Sequence, residues 1–138
     1  MTKWTEHDFF QLAEWGYGCY QQGDLRRARI LFAAILEARP SDSYAARGLA
    51  GVALQEGNAE EAVQLMVQVL QKRPKDLQAR LRLAEALIAS GRLTEARQGL
   101  AALRGEALSQ DLLRLELRLH ALSAPHATIP GRPPITGA

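Results

Sequence analysis

Chemistry in this chain would have to come from three histidines, a single cysteine, one Gly-x-Gly stretch and scattered carboxylates. His7, His120 and His126 fall in three separate regions. None has a second His, Cys or carboxylate at the spacing of a zinc or di-metal motif, so all three read as surface histidines. Cys19 has no partner for an internal disulfide, which agrees with a reducing compartment, and it reads as a small core hydrophobe. The run Trp15-Gly16-Tyr17-Gly18-Cys19 lacks the third glycine of a phosphate-binding fingerprint and opens no helix after a strand. Glu60 and Glu61 are adjacent, as solvated charges in the first turn of a helix are. Catalysis needs a nucleophile, an acid–base pair or a metal gathered in a formed pocket, and no such set is present. The expectation is a protein that is not an enzyme and takes no cofactor or metal.

The elements that carry these residues are bounded by composition. At 138 residues, one compact domain is expected, and 47% hydrophobic with 23% charged residues is ordinary for a globular chain. Seventeen Lys and Arg stand against fifteen Asp and Glu, giving a net charge of +2, and the two signs are interspersed. That field is too weak and too even for a nucleic-acid partner to be expected. No apolar run reaches the roughly 18 residues of a membrane-spanning helix. The opening Met-Thr-Lys-Trp-Thr-Glu-His-Asp lacks an apolar signal region, so residence in the cytoplasm without membrane insertion is expected.

One period organises the sequence. Gly23, Gly57 and Gly91 are 34 residues apart, and so are Ala28, Ala62 and Ala96. Pro40 and Pro74 keep the same interval, as do Phe32, Met66 and Leu100, then Ile35, Val69 and Leu103, then Leu25, Ala59 and Leu93. These positions resemble the tetratricopeptide repeat, in which each unit is helix A, a glycine turn and helix B. The resemblance implies an all-α fold of three tandem units in a right-handed superhelix, at 9–42, 43–76 and 77–110, with a C-terminal capping helix at 110–123 and a disordered tail. The folded domain is thus expected over 1–123 and a Pro-rich flexible tail over 124–138.

Packing chemistry fits this division. Gly16, Ala50 and Ala84 on the A helices would face Ala28, Ala62 and Ala96 on the B helices, where small side chains allow close approach and Trp15, Leu49 and Leu83 fill the flanks. Each turn glycine is expected in the left-handed conformation. Thr5 with Asp8 reads as the cap of the first helix, Asp24 and Asn58 as caps of B helices, Glu61 as the reciprocal member of a capping box, and Asp42 or Ser43 and Asp76 as caps of A helices. In the third unit Leu108 replaces the terminal proline, Gly105 closes helix B, and Ser109 caps the seventh helix. Leu112, Leu115, Leu119 and Leu122 form one stripe on that helix with Leu113 and Leu117 beside it, an apolar arc wide enough for self-association or a partner. Pro130 and Pro133 satisfy a minimal PxxP spacing within the tail, which otherwise reads as linker.

The concave face of such a stack is made by the A helices, and repeat positions 2, 5, 9 and 12 turn toward it. They are Phe10, Ala13, Tyr17 and Tyr20 in the first unit, Tyr44, Arg47, Gly51 and Leu54 in the second, and Gln78, Leu81, Glu85 and Ile88 in the third. All three tyrosines of the chain are among them, and exposed aromatics mark binding surfaces. Gly51 and Ala13 are expected to leave pockets, and Arg47 and Glu85 to orient an extended segment through its polar groups. Tetratricopeptide domains of the chaperone-cofactor type hold a terminal carboxylate with Lys and Asn on the A helices. The matching positions are Ala13, Tyr17, Gly48, Gln78 and Arg82, with one cation, so an acidic C-terminal tail is not the expected ligand.

Tyr20-Gln21-Gln22-Gly23, then Ala28, Phe32 and Pro40, and the run from Gly48-Leu49-Ala50 through Gln55 and Gly57 resemble the small tetratricopeptide chaperones of bacterial type III secretion systems. The resemblance implies a cytoplasmic bacterial protein whose groove holds an apolar segment of a secretion substrate or export-apparatus component before export. It also allows a homodimer through the first or last helix. A scaffold joining folded proteins in a multiprotein assembly is the other reading of the same groove.

Overall fold

A computed structural model describes residues 3–106 and 109–123. Seven helices follow one another: α1 (Glu6–Gln21), α2 (Leu25–Ala38), α3 (Ser43–Gln55), α4 (Ala59–Lys72), α5 (Leu77–Ala89), α6 (Leu93–Arg104) and α7 (Gln110–Ser123), with no strand among the described residues. Leu108, His126, the PxxP spacing and the expected tail lie outside them.

The A-to-B turns are built by one device used three times. Gly23, Gly57 and Gly91 have φ of 81°, 81° and 79°, the left-handed region in which a Cβ is costly. That twist lets the next residue's amide reach back to the preceding helix: Asp24 N–H donates to the Cys19 carbonyl at 2.9 Å and Asn58 N–H to the Ala53 carbonyl at 2.8 Å. The same two residues then open the following helices, with Asp24 accepting from the Arg27 amide and Asn58 from the Glu61 amide, both at 3.2 Å. In the third unit Arg92 takes this place and α6 has no side-chain cap; the Arg92 guanidinium instead meets the Glu95 carboxylate at 2.9 Å.

The B-to-A connections have their own logic. Pro40 and Pro74 hold the preceding Arg39 and Arg73 out of the helical region, so α2 and α4 stop there. Asp42 and Asp76 restart the chain by accepting from the Ala45 and Ala79 amides at 3.0 and 3.1 Å. Thr5 and Asp8 form the expected capping box, and Ser109 accepts from Leu112 at 3.1 Å. Glu61 departs from expectation. Its carboxylate turns to Arg29 at 2.7 Å, so the guanidinium, shared with Glu56, ties α2 to the α3–α4 turn of the next unit.

Gly16, Ala50 and Ala84 are buried, as are Ala28, Ala62 and Ala96. Phe32, Met66 and Leu100, one repeat apart, are fully covered, and the core continues through Leu103 into Leu112, Leu115 and Leu119 of α7. Leu49 fills its flank as expected, Leu83 is half-buried, and Trp15 does not fill at all, being 59% exposed. Position 15 belongs to the first of the three units, and no described helix covers it. Along the stack α1 contacts α3, α3 contacts α5 and α5 contacts α7, whereas the backbones of α2, α4 and α6 stay apart and are bridged by long side chains such as the Arg29–Glu61 pair. Four helices therefore form an inner layer and three a splayed outer one, which bends the stack toward the inner side. Helix α7 occupies the place of a fourth A helix; it covers the open end and also extends the inner face. Leu113, Leu117 and Leu122 are exposed, so of the expected stripe Leu112, Leu115 and Leu119 are buried and Leu122 is not.

Candidate protein-binding cleft

The inner layer encloses a cleft of about 480 Å³. Tyr17 reaches it from α1, Tyr44, Arg47 and Gly48 from α3, and Gln78, Leu81, Arg82 and Glu85 from α5. Helix α7 completes it with Asp111, Arg114, Leu115 and Arg118.

Six of the twelve residues expected along the groove meet here: Tyr17, Tyr44, Arg47, Gln78, Leu81 and Glu85. The other six do not. Phe10 is 60% exposed but stands outside the cleft, and Ala13 is half-buried against the core of the first unit and does not line the cleft. Gly51 is buried rather than vacant: a Cβ there would lie 3.2 Å from the Tyr20 hydroxyl, so the Tyr20 ring already occupies the space the glycine leaves. Ile88 is in the core and Leu54 packs against it. Tyr20, Leu54 and Ile88 share repeat position 12, at the end of each A helix, where the next unit closes over the side chain.

The cleft is both aromatic and charged. Tyr17 and Tyr20 stack with ring centroids 6.1 Å apart and an interplanar angle of 25°, which fixes Tyr17 at the rim. The Arg47 guanidinium lies 5.8 Å from the Tyr44 ring centroid and 3.8 Å from the Asp76 carboxylate. Partial burial pushes the Tyr44 hydroxyl above the ordinary tyrosine range, with nearby Tyr17 and Glu14 adding to the rise and Arg47 opposing it. Tyr44 therefore stays protonated at neutral pH and can donate a hydrogen bond. Arg82 pairs with Glu85 at 3.0 Å and Arg114 with Asp111 at 3.8 Å.

Cys19 is buried, and His7 and His120 are exposed. No group of three or more His, Cys, Asp or Glu among the described residues is placed to hold a metal ion, and no helix there is long and apolar enough to cross a membrane.

Gly48, Arg82 and the α7 residues were not among the expected groove positions. Gly48 and Arg82 occupy repeat position 6, next to the chosen position 5, and their inward turn was detectable from helical geometry. The α7 residues lie beyond the third repeat, where no periodicity assigns a facing.

Two tetratricopeptide repeat family models match the chain, over residues 15–66 and 53–116. The chain is a tetratricopeptide repeat protein. No curated protein matches it in sequence. Among solved structures, this tetratricopeptide repeat protein is similar to PcrH from Pseudomonas aeruginosa, at 24% identity and TM-score 0.77, covering 88% of this chain and 96% of that one. It is similar to the type III secretion translocator chaperone SycD of Yersinia enterocolitica at 22% identity and TM-score 0.75, covering 90% and 98%. It is also similar to the second tetratricopeptide domain of human RPAP3 in complex with an HSP70 peptide, at 20% identity and TM-score 0.70, covering 79% and 92%. These likenesses establish the helical stack, and the tetratricopeptide fold makes proteins its expected partners.

Proposed function

We propose that the protein is a cytoplasmic bacterial chaperone whose cleft holds an extended, partly apolar segment of a type III secretion substrate or export-apparatus component before export. The observation that carries the reading is the cleft itself, to which all four inner helices contribute, with the exposed rings of Tyr17 and Tyr44 offering apolar contact over a floor of buried Leu81 and Leu115. Covering an apolar segment removes area worth about 25 cal/mol per Å², offset by the cost of ordering the bound chain, which yields reversible capture. The similarity to SycD, which is a translocator chaperone, over 98% of its chain supports the secretion reading.

A second reading is a scaffold that joins proteins without protecting them, and it is favoured by the like similarity to an RPAP3 domain that holds a peptide. Removing the gene distinguishes the two. A chaperone's client is then degraded or aggregates in the cytoplasm, whereas a scaffold's partners persist at normal levels and fail to assemble; persistence of every partner contradicts the chaperone reading.

A further inference from the structure

The cleft is not a neutral groove. Arg47, Arg82, Arg114 and Arg118 line it against two carboxylates, Glu85 and Asp111. Asp76, the partner of Arg47, is already held by the Ala79 amide whose helix it caps. The Arg114–Asp111 pair is long at 3.8 Å and its side chains are 77% and 62% exposed, so it is weak. Arg118 has no carboxylate partner among the described residues. Arg114 and Arg118 are one helical turn apart on α7 and so present two guanidinium groups side by side.

We infer, resting on the reading of this cleft as a segment-binding groove, that its ligand is an extended protein segment in which acidic side chains alternate with apolar ones. Guanidinium groups bind carboxylates in a planar, two-pronged contact, so entering carboxylates would replace the long pairs of Arg47 and Arg114 by short ones and give Arg118 a partner, while Arg82 keeps its 3.0 Å pair with Glu85. The cations are distributed over α3, α5 and α7. That distribution suits several side-chain carboxylates along a segment better than one chain terminus. Glu85 and Asp111 within the same cleft disfavour an unbroken phosphate backbone, while the exposed rings of Tyr17 and Tyr44 supply the apolar complement.

The test uses a fluorescein-labelled, C-terminally amidated peptide repeating Ser-Glu-Leu-Glu three times and its Ser-Gln-Leu-Gln counterpart, with anisotropy read at low and at raised ionic strength. The acidic peptide is expected to bind about tenfold more tightly at low salt. Arg114→Gln with Arg118→Gln should remove most of that preference while the circular dichroism spectrum is unchanged. Equal affinity for the two peptides, with both weakened by Tyr17→Ala and Tyr44→Ala, overturns the acidic preference and leaves the groove. Absence of binding by either peptide, or binding indifferent to the tyrosine substitutions, overturns the groove reading and this inference with it. Displacement of the acidic peptide by a lower concentration of single-stranded DNA overturns the inference in favour of a nucleic-acid ligand.

Discussion

Phe32 and Gly48 touch so closely that a Cβ on Gly48 would lie 2.5 Å from the Phe32 ring. The ring is fully buried and the same atoms, Cε1 and Cζ, also meet Gly16, where an added Cβ would lie 3.1 Å away, so the ring has little room to retreat. One aromatic side chain from α2 thus spaces both α1 and α3, locking the first unit to the second. Gly48→Ala gains about 0.5–1 kcal/mol of helix propensity but must displace this ring, and overpacking of a full core costs about 1–3 kcal/mol. The variant is expected to melt at lower temperature. Gly18→Ala, in the same inner layer with nothing within 4 Å of the new methyl group, should melt at the same temperature or higher.

Ala62 is fully buried in the contact between α3 and α4. Ala62→Leu adds three carbons where two helix backbones approach, with an expected loss of about 1–3 kcal/mol in denaturant unfolding. An unchanged midpoint would contradict the close A-to-B packing.

The Asp8 carboxylate accepts from the Thr5 amide at 2.7 Å and from the Thr5 hydroxyl at 2.9 Å, and these bonds hold its pKa below the ordinary value. A depressed folded-state pKa contributes stability above the unfolded value, about 3.9 for an aspartate, and that contribution is lost as pH falls through the lower folded value. The start of α1 should therefore stay capped at pH 4 and fray only as the pH falls through that lower folded value. In a carboxyl-carbon NMR titration, Thr5→Ala should raise the Asp8 midpoint only part of the way, because the backbone bond is the larger cause and survives.

The sequence carried the fold wherever a position has a duty that one residue type performs best. Gly23, Gly57 and Gly91 occupy left-handed turns, Asp24, Asn58, Asp42 and Asp76 cap the helices they precede, and Pro40 and Pro74 follow the ends of B helices. The cleft was half legible, because the repeat gives a facing to each A-helix residue but says nothing of what fills the space between units. Gly51 was expected to open a pocket, and the Tyr20 ring of the preceding unit lies across it instead. Trp15 was expected in a flank that, in the first unit, no described helix covers. The arginines of α7 were hidden for a different reason: α7 lies outside the repeats, and only its contact with α5 reveals that it continues the inner layer.

The central claim is that the cleft holds a segment of a protein partner, and Tyr17 and Tyr44 test it with least risk to the fold because they are 45% and 43% exposed. The protein should be purified from its native host, beside the Tyr17→Ala, Tyr44→Ala double variant, and both weighed by native mass spectrometry. The account predicts a stoichiometric complex with one small secreted protein for the native chain and the bare chain for the variant, at equal helicity. A partner retained undiminished by the variant would place binding elsewhere on the molecule and contradict the account.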